Sequence, residues 1–180
     1  MKITIGGLSG TGKTTLGRSI ADRLGASFVS SGDIFREEAD KRGVSLLDMH
    51  ILAKQDYGID RAIEENAGHY GKTHDSFVFD GRLAWYTIPD SFKICVISDD
   101  SVRLERIRVR DSQKKGIQLS PESVRVETFG RENEMREQYN CIYGIHDYMD
   151  KSHYDFVINT TGLTLEQAIE IVYSEIVRRG

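Results

Sequence analysis

Short apolar runs alternate with longer stretches of helical spacing along the whole chain. The apolar runs lie at residues 2–5, 27–30, 77–79, 92–97 and 155–158. The helical patterns lie at 16–24, 101–110, 121–141 and from Thr164 onwards. Strands that alternate with helices in this way predict an α/β fold: five parallel strands form one sheet, and helices cover both of its faces. Ligands of such a sheet bind at the carboxyl ends of the strands.

Two intervals are too long or too polar to be simple connections between strands. Residues 32–73 carry three helical patterns, at 34–42, 46–55 and 59–69, and predict a helical insert between the second and third strands. Residues 111–120 are polar and contain Gln-Lys-Lys-Gly, which is typical of a mobile loop. We expect this second interval to form a short lid.

A glycine-rich segment directly follows the first strand and opens the first helix. It reads Gly7, Leu8, Ser9, Gly10, Thr11, Gly12, Lys13, Thr14 and Thr15. The glycines let several backbone N–H groups point into one cavity, and the lysine reaches the outer phosphates of a nucleoside triphosphate. The Thr14 hydroxyl faces Mg²⁺ in this motif. The segment therefore predicts a P-loop that binds ATP.

Arginines are concentrated on both sides of the predicted lid. They are Arg103, Arg106 and Arg110 on one helix, and Arg125, Arg131 and Arg136 on the next. A loop with arginines at both hinges can close over a triphosphate and stabilise charge on the transferring phosphoryl group. Any single arginine could instead be a solvated surface residue. Because Arg131 and Arg136 are five residues apart, they lie on different sides of an ideal helix.

Polar residues also follow the second and third strands. They are Ser31, Gly32 and Asp33 after the second strand, and Asp80, Gly81 and Arg82 after the third. Arg36 lies one helical turn beyond Gly32, and both arginines offer planar donors for a phosphate. Asp80 stands where a P-loop enzyme holds Mg²⁺ through water. The structural alternatives are a helix N-cap for Asp33, an ion pair for Arg82 and a hydrogen bond to the P-loop for Asp80.

The balance of charges indicates the kind of acceptor. An alcohol acceptor needs a general base, whereas a phosphate acceptor is already mostly ionised near neutral pH. The predicted cleft holds many arginines, and Asp33 is its best-placed candidate base. This favours a nucleoside monophosphate kinase. A kinase for AMP or for a small alcohol such as shikimate or a sugar acid stays open, as does a slow ATPase with a regulatory or assembly role.

Composition and charge indicate the class of protein and the compartment in which it acts. The chain has 180 residues and a formal net charge of −4, with a sequence pI of about 5.8, which argues against a protein that coats nucleic acid. Cys95 and Cys141 show no metal-ligand spacing and are expected to be reduced thiols. Without a long apolar segment or a signal peptide, we expect one domain over 1–180, acting as a cytoplasmic monomer on nucleotides.

Several further motifs resemble those of the short, archaeal-type cytidylate kinases, within the nucleoside monophosphate kinase family. The matching segments read Ser-Ser-Gly-Asp-Ile-Phe-Arg at 30–36, Asp-Gly-Arg-Leu-Ala-Trp at 80–85, Arg-Glu at 131–132, Arg-Glu-Gln-Tyr at 136–139, Tyr-Gly-Ile at 143–145 and Val-Ile-Asn-Thr at 157–160. The similarity extends over nearly the whole chain. His146 differs, because the family usually has an acidic residue there.

The resemblance implies ATP as the donor, CMP or dCMP as the acceptor, and Mg²⁺ as the cofactor. It implies that Arg36 and Arg82 hold the acceptor phosphate, together with Ser31, Gly32 and Gly81. The insert should select the base, and it matches the family at Ile59-Asp60-Arg61, so Asp60 is assigned to the acceptor site. The resemblance also implies that Arg106, Arg131 and Arg136 serve the transferred group, and that Asn159 lies near the donor adenine.

Overall fold

The computed structural model describes residues 1–179, except for the side chains of residues 46, 47, 50 and 54. The strands are β1 (Lys2–Gly7), β2 (Ser27–Ser30), β3 (Phe77–Asp80), β4 (Phe92–Ile97) and β5 (Phe156–Asn159). The helices are α1 (Lys13–Leu24), α2 (Ser31–Arg42), α3 (Leu46–Gln55), α4 (Tyr57–Thr73), α5 (Ala84–Thr87), α6 (Asp100–Lys115), α7 (Pro121–Tyr143) and α8 (Leu165–Arg179). No helix among these residues is long and apolar enough to cross a bilayer.

All five strands belong to one parallel sheet in the order β2-β3-β1-β4-β5. After β1 the chain continues to β2 at one edge of the sheet, and after β3 it continues to β4 on the other side of β1. The carboxyl ends of the neighbours β1 and β3 therefore border the crevice at which the strand order reverses. The prediction of an α/β fold with a five-stranded parallel sheet is confirmed, and each predicted strand lies within two residues of an observed one.

Alternate residues of the strands pack against helices on opposite faces of the sheet. Ile3 and Ile5 of β1 are fully buried in a cluster with α1 and α8. Phe77 and Phe79 of β3 are fully buried on the other face, against α4 and α5. Because both faces are covered, the sheet is rigid at the point where its carboxyl ends carry the polar residues.

The helices between β2 and β3 have a small core of their own. Its buried members are Ala39, Met49, Ala53, Ile59 and Ile63. The predicted helices are confirmed, but α2 begins three residues earlier than expected and α4 runs from Tyr57 to Thr73. Since α2 starts directly at the end of β2, the helix places its first turn at the crevice.

The predicted loop at 111–120 is wrong in its first half. Helix α6 continues to Lys115 and ends at Gly116, which has a φ of 66° and donates its N–H to the last turn. Only residues 116–120 connect α6 to α7, which Ser120 caps. The polar residues 111–115 were interpreted as a loop, although Gly116 is the stronger helix-ending signal because a left-handed φ costs glycine little. The lid is therefore a helical hairpin with a short tip.

Helix α8 offers a matched test of this packing. Ile176 is only 2% exposed, whereas Ile171 of the same helix is 43% exposed. We expect Ile176→Ala to lower the free energy of unfolding by about 2–5 kcal/mol through lost burial and a new cavity. Ile171→Ala should cost less than about 1 kcal/mol. Urea denaturation of both variants gives the comparison, and equal losses would contradict the packing of α8 on the sheet.

Candidate active site

The P-loop curls tightly between β1 and α1. Gly10 and Gly12 have φ angles of 80° and 90°, in the left-handed region that glycine adopts readily. A side chain at Gly10 would also overlap the backbone carbonyl of Arg103. Gly12 is the N-cap of α1 and supplies no side-chain hydrogen bond. The first N–H groups of α1 therefore stay available to an anion, which the helix dipole also favours.

Two side-chain oxygens of the kind that can bind a metal ion lie beside the loop. The Thr14 hydroxyl donates a hydrogen bond to Oδ2 of Asp80, which is buried at the carboxyl end of β3. This contact matches the structural alternative for Asp80. The two residues nevertheless present a hydroxyl and a carboxylate at one point, and hard oxygen donors of this kind suit Mg²⁺, which fills its other positions with water and phosphate oxygens.

Lys13 lies in a positively charged neighbourhood. Its Nζ donates to the backbone carbonyl of Leu8 at 3.4 Å. Burial lowers the pKa of the Lys13 amine; the charge of Asp80 opposes this, and the charges of Arg82 and Arg110 add to the lowering. An anion bound between these groups would relieve their mutual repulsion. The electrostatics of the loop thus favour a highly charged anionic ligand.

Arg103 has a structural position rather than the predicted place in the lid. It is 1% exposed and makes two hydrogen bonds to Glu132 of α7, at 2.7 Å and 3.1 Å. It also donates to Asp100 at 2.6 Å and reaches the backbone carbonyl of Ser9 at 3.5 Å. Arg103 and Arg106 both reach carbonyls of the P-loop from one face of α6, but the guanidinium of Arg103 is enclosed beneath the loop by its carboxylate partners.

Arg106 joins the P-loop to the end of β5. Its guanidinium donates to the carbonyl of Thr11 at 3.5 Å, and to the hydroxyl and the carbonyl of Thr160 at 3.3 Å each. The Thr160 hydroxyl in turn donates to the Thr11 carbonyl at 2.9 Å. Asn159 precedes this contact, and its side-chain oxygen accepts from the N–H of Thr161. The structure therefore brings Arg106 and Asn159 to the P-loop side of the sheet.

The other predicted catalytic arginines are exposed on α7. Arg131 pairs with Glu127 at 3.0 Å, and both side chains are more than half exposed. Arg136 is exposed and makes no ion pair with a described residue. No contact among the described residues joins either arginine to the P-loop, so their role in transfer stays a prediction.

Asp33 is held by its own helix. The N-cap of α2 is Ser30, not Asp33, and Asp33 completes a capping box from the third helical position. Its carboxylate also pairs with Arg36, whose side chain is half exposed. Burial alone would raise the pKa of Asp33, but the hydrogen bonds from Ser30 and Arg36 bring it below the usual value. An already ionised, hydrogen-bonded carboxylate is a weak general base.

Arg82 connects the two halves of the crevice. It follows β3, and its Nη2 donates to the hydroxyl of Ser9 in the P-loop at 3.3 Å. The neighbouring Gly81 lies so close to Ser31 that a Cβ there would come 2.5 Å from the Ser31 hydroxyl. The backbone of β3 and the start of α2 therefore meet beside Arg82, as the sequence predicts for the acceptor site.

Five buried polar atoms have no hydrogen-bond partner among the described residues. They are Ser31 Oγ, Glu64 Oε2, Arg82 Nε, Tyr143 Oη and Tyr148 Oη. Arg82 acts electrostatically on Glu64 and Tyr148, and Glu64 acts on Tyr143, so these groups are neighbours. An unsatisfied buried polar group costs roughly 1–3 kcal/mol. Their convergence on the acceptor side of the crevice indicates a pocket for a polar ligand.

A groove of about 460 Å³ opens beside two of these residues, Glu64 and Tyr143. Its lining includes Arg61, Glu64, Gly68, Tyr86, Thr87 and Tyr143. Asp60 lies one turn before Glu64, and its carboxylate accepts a hydrogen bond from Gln138 of α7. The sequence interpretation missed Glu64 and Tyr143. The i, i+4 spacing from Asp60 to Glu64 places both carboxylates on one helix face and could have indicated the former.

Trp85 packs against the protein. Its ring stacks on His153 with centroids 3.9 Å apart, and its Nε1 donates to the carbonyl of Tyr148 at 3.2 Å. This arrangement supports a packing role for Trp85 rather than stacking on a base.

Comparison with known proteins agrees with the geometry. The sequence model of the cytidylate kinase-like family matches residues 2–162. A cytidylate kinase of Methanothermobacter thermautotrophicus is 36% identical over 92% of this chain and 99% of its own length. One of Methanobrevibacter smithii is 33% identical over 96% of each chain. The solved shikimate kinase of Bacteroides thetaiotaomicron, at 11% identity, has a TM-score of 0.64 over 98% of both chains and shows the shared fold.

A parallel sheet with a P-loop after β1 and guanidinium groups facing it across the crevice defines a P-loop kinase. Within that class, the chain belongs to the cytidylate kinase-like family, as the family match and the full-length relatives show. The resemblance stated from the sequence motifs is thereby confirmed.

The buried ion pair beneath the P-loop can be tested against an exposed ion pair of the same helix, α7. Glu132→Gln removes the buried counter-charge of Arg103 and leaves it only the exposed Asp100. We expect this change to lower the free energy of unfolding by roughly 3–5 kcal/mol. Glu127→Gln breaks the exposed pair with Arg131 and should cost less than about 1 kcal/mol. Denaturation in urea measures both. If the two losses are equal, Arg103 does not have the structural role assigned to it.

Proposed function

We propose that the protein transfers the γ-phosphoryl group of ATP to CMP or dCMP and releases ADP and the nucleoside diphosphate. The observation that carries this proposal is the position of Arg82. Its guanidinium contacts the P-loop at Ser9, while its Nε is buried and unpartnered on the acceptor side. Such a group can hold an acceptor phosphate directly opposite the donor phosphates. The family membership supplies the choice of a cytidine nucleotide.

The donor half of the site would be the P-loop from Gly7 to Thr15. Its open N–H groups and the dipole of α1 favour the β- and γ-phosphates, and Lys13 adds a positive charge that the transition state needs. We assign the adenine to the side of the P-loop where Arg106 and Asn159 lie. This assignment is supported by the contacts of Arg106 and Thr160 with the Thr11 carbonyl.

Thr14 and Asp80 would hold Mg²⁺, the hydroxyl directly and the carboxylate through water. Bound there, the ion would neutralise charge on the transferring phosphoryl group. The hydrogen bond between the two side chains keeps both oxygens oriented toward the P-loop.

The acceptor half needs positive charge more than it needs a base. A monophosphate is mostly ionised near neutral pH, so bringing it to a triphosphate requires cations between the two anions. Arg82 and Arg36 would supply them, with Ser31, Gly32 and Gly81 allowing close approach of the phosphate. Asp60 of the helical insert would also contact the acceptor nucleotide. An in-line geometry then follows from placing the donor and acceptor phosphates on opposite sides of the transferred group.

The alcohol-kinase alternative is less well supported by the local chemistry. Asp33, its candidate base, is already engaged by Ser30 and Arg36. The similarity to a shikimate kinase structure concerns the fold alone. Since donor and acceptor groups are contributed by one chain, the proposal requires no second copy.

Lys13→Ala tests the donor half. We expect kcat/KM for CMP phosphorylation to fall by at least about 10²–10³-fold, because a preorganised charge on the transferring group is lost. Lys2→Ala, at the opposite end of β1, is the control and should retain activity. Coupled detection of ADP measures both variants, and near-wild-type turnover by Lys13→Ala would contradict the assignment.

Arg82→Ala tests the acceptor half. Loss of charged hydrogen bonds to the acceptor phosphate should raise the KM for CMP by about 10–100-fold. Slow hydrolysis of ATP without an acceptor should change much less. Arg178→Ala, an exposed arginine on α8, is the matched control. An equal loss in both reactions would show that Arg82 does not serve the acceptor.

A further inference from the structure

Glu64 is a buried carboxyl group with one oxygen left unpartnered. The residue is only 9% exposed, and its Oε2 has no hydrogen-bond partner among the described residues. It lines the groove between α4, α5 and the end of α7. A buried acceptor of this kind is costly unless a donor reaches it. The position therefore calls for a ligand group that donates a hydrogen bond.

The groups around Glu64 do not supply that donor. Charged and titratable residues surround Glu64 on every neighbouring element. They are Asp60, Arg61, Glu65, His69 and Lys72 on α4, Arg82 after β3, Tyr86 on α5, Tyr139 and Tyr143 on α7, and Tyr148 beyond it. Arg82 stabilises the charged form only in part: burial and the charge of Asp60 raise the pKa of Glu64 to about 7. The carboxyl group is thus retained at an energetic cost.

The groove lies where the base of an acceptor nucleotide would extend. Arg82 contacts the P-loop through Ser9, and its charge acts on Glu64, which lines the groove. A nucleotide whose phosphate binds Arg82 would therefore direct its sugar and base past this residue into the groove. A volume of about 460 Å³ is within the usual range for small-ligand sites.

This inference rests on the proposed function. We propose that Glu64 is the specificity-determining residue of the acceptor site, and that its Oε2 accepts a hydrogen bond from the exocyclic N4 amino group of cytosine. A carboxylate that accepts from cytosine N4 is a standard recognition pair. Uracil has an O4 carbonyl oxygen at the same position, and this acceptor would face the carboxylate without a proton between them. The site would therefore discriminate CMP from UMP.

The neighbouring groups are less suited to this discrimination. Asp60 already accepts a hydrogen bond from Gln138. The Tyr143 hydroxyl is unpartnered, but it can donate as well as accept, so it fits an amino group and a carbonyl equally. Glu65 is exposed at the rim of the groove, where water competes for its oxygens.

The test compares kcat/KM for CMP and UMP, with ATP as donor, in the wild type and in Glu64→Gln. The amide has nearly the same shape but offers both a donor and an acceptor. We expect the CMP preference to fall about 5–100-fold, partly through improved use of UMP. Glu65→Gln removes the same charge from the adjacent residue and should leave the preference unchanged. Glu64→Asp keeps the acceptor and should retain a preference for CMP despite a lower rate.

The outcomes separate this inference from the proposal beneath it. If the wild type phosphorylates neither CMP nor UMP, the proposed function is wrong. If it phosphorylates CMP and Glu64→Gln keeps the wild-type preference, or loses both activities equally, Glu64 does not recognise the base. An equal change in Glu65→Gln would show a general charge effect and would also overturn the inference.

A second arm uses only the wild type, so it does not depend on the folding of a variant. Below about pH 7 the Glu64 carboxyl is increasingly neutral and can donate to O4 of uracil. The preference for CMP should therefore rise as the pH increases from about 6 to 8. CMP and UMP carry the same phosphate group, so its ionisation affects both kcat/KM values equally and does not change their ratio. A preference that stays flat over this range contradicts the inference.

Discussion

The buried guanidinium of Arg103 is the contact on which the donor site depends. It lies beneath the P-loop, between Ser9 of that loop, Asp100 at the start of α6 and Glu132 on α7. The P-loop, α6 and α7 are distant in sequence, and all three contact this one buried charge. Because an isolated buried charge is very unfavourable, each partner restricts where the others can lie. The curled backbone at Gly10, which passes next to the Arg103 carbonyl, is held by the same arrangement.

The acceptor side follows the opposite principle. Its polar atoms, from Ser31 to Tyr148, are buried without partners among the described residues. Each one costs folding free energy, and under the proposed function this cost is retained because the same atoms would be preorganised for a polar ligand. Arg82 connects the two sides. Its Nη2 donates a hydrogen bond to the Ser9 hydroxyl, and its Nε has no partner among the described residues and stays available to the crevice. The buried charge beneath the P-loop is paired, whereas the buried polar atoms around Arg82 have no partners among the described residues.

The sequence predicted what depends on local signals. The apolar run of β4, the glycine-rich turn before Lys13 and the helical pattern from Thr164 onwards are all local signals, and the structure has each of these elements. Thr164 and Gln167 cap the last helix. The errors concern residues whose surroundings come from remote segments. Arg103 was grouped with the lid because its partner Glu132 is 29 residues away, and nothing in the local sequence indicates that pairing.

Glu64 was missed for the same reason, because its burial depends on α5 and α7. The lid was assigned to a loop from polarity alone, although polar residues also form solvated helices. Packing between segments, which periodicity does not encode, decided the positions of Arg103 and Glu64, whereas the local signal at Gly116 decided the end of α6.

The hairpin of α6 and α7 has a mechanical consequence. Arg103, near the start of α6, pairs with Glu132 in the middle of α7, and residues 116–120 connect the two helices at their far end. If this hairpin rotated about the ion pair, the pivot would lie under the P-loop and the greatest displacement would be at the tip near Gly116. A small rotation at the pivot would then carry Arg131 through a much smaller arc than the tip, so the reach of each arginine is set by its distance from Glu132 along α7.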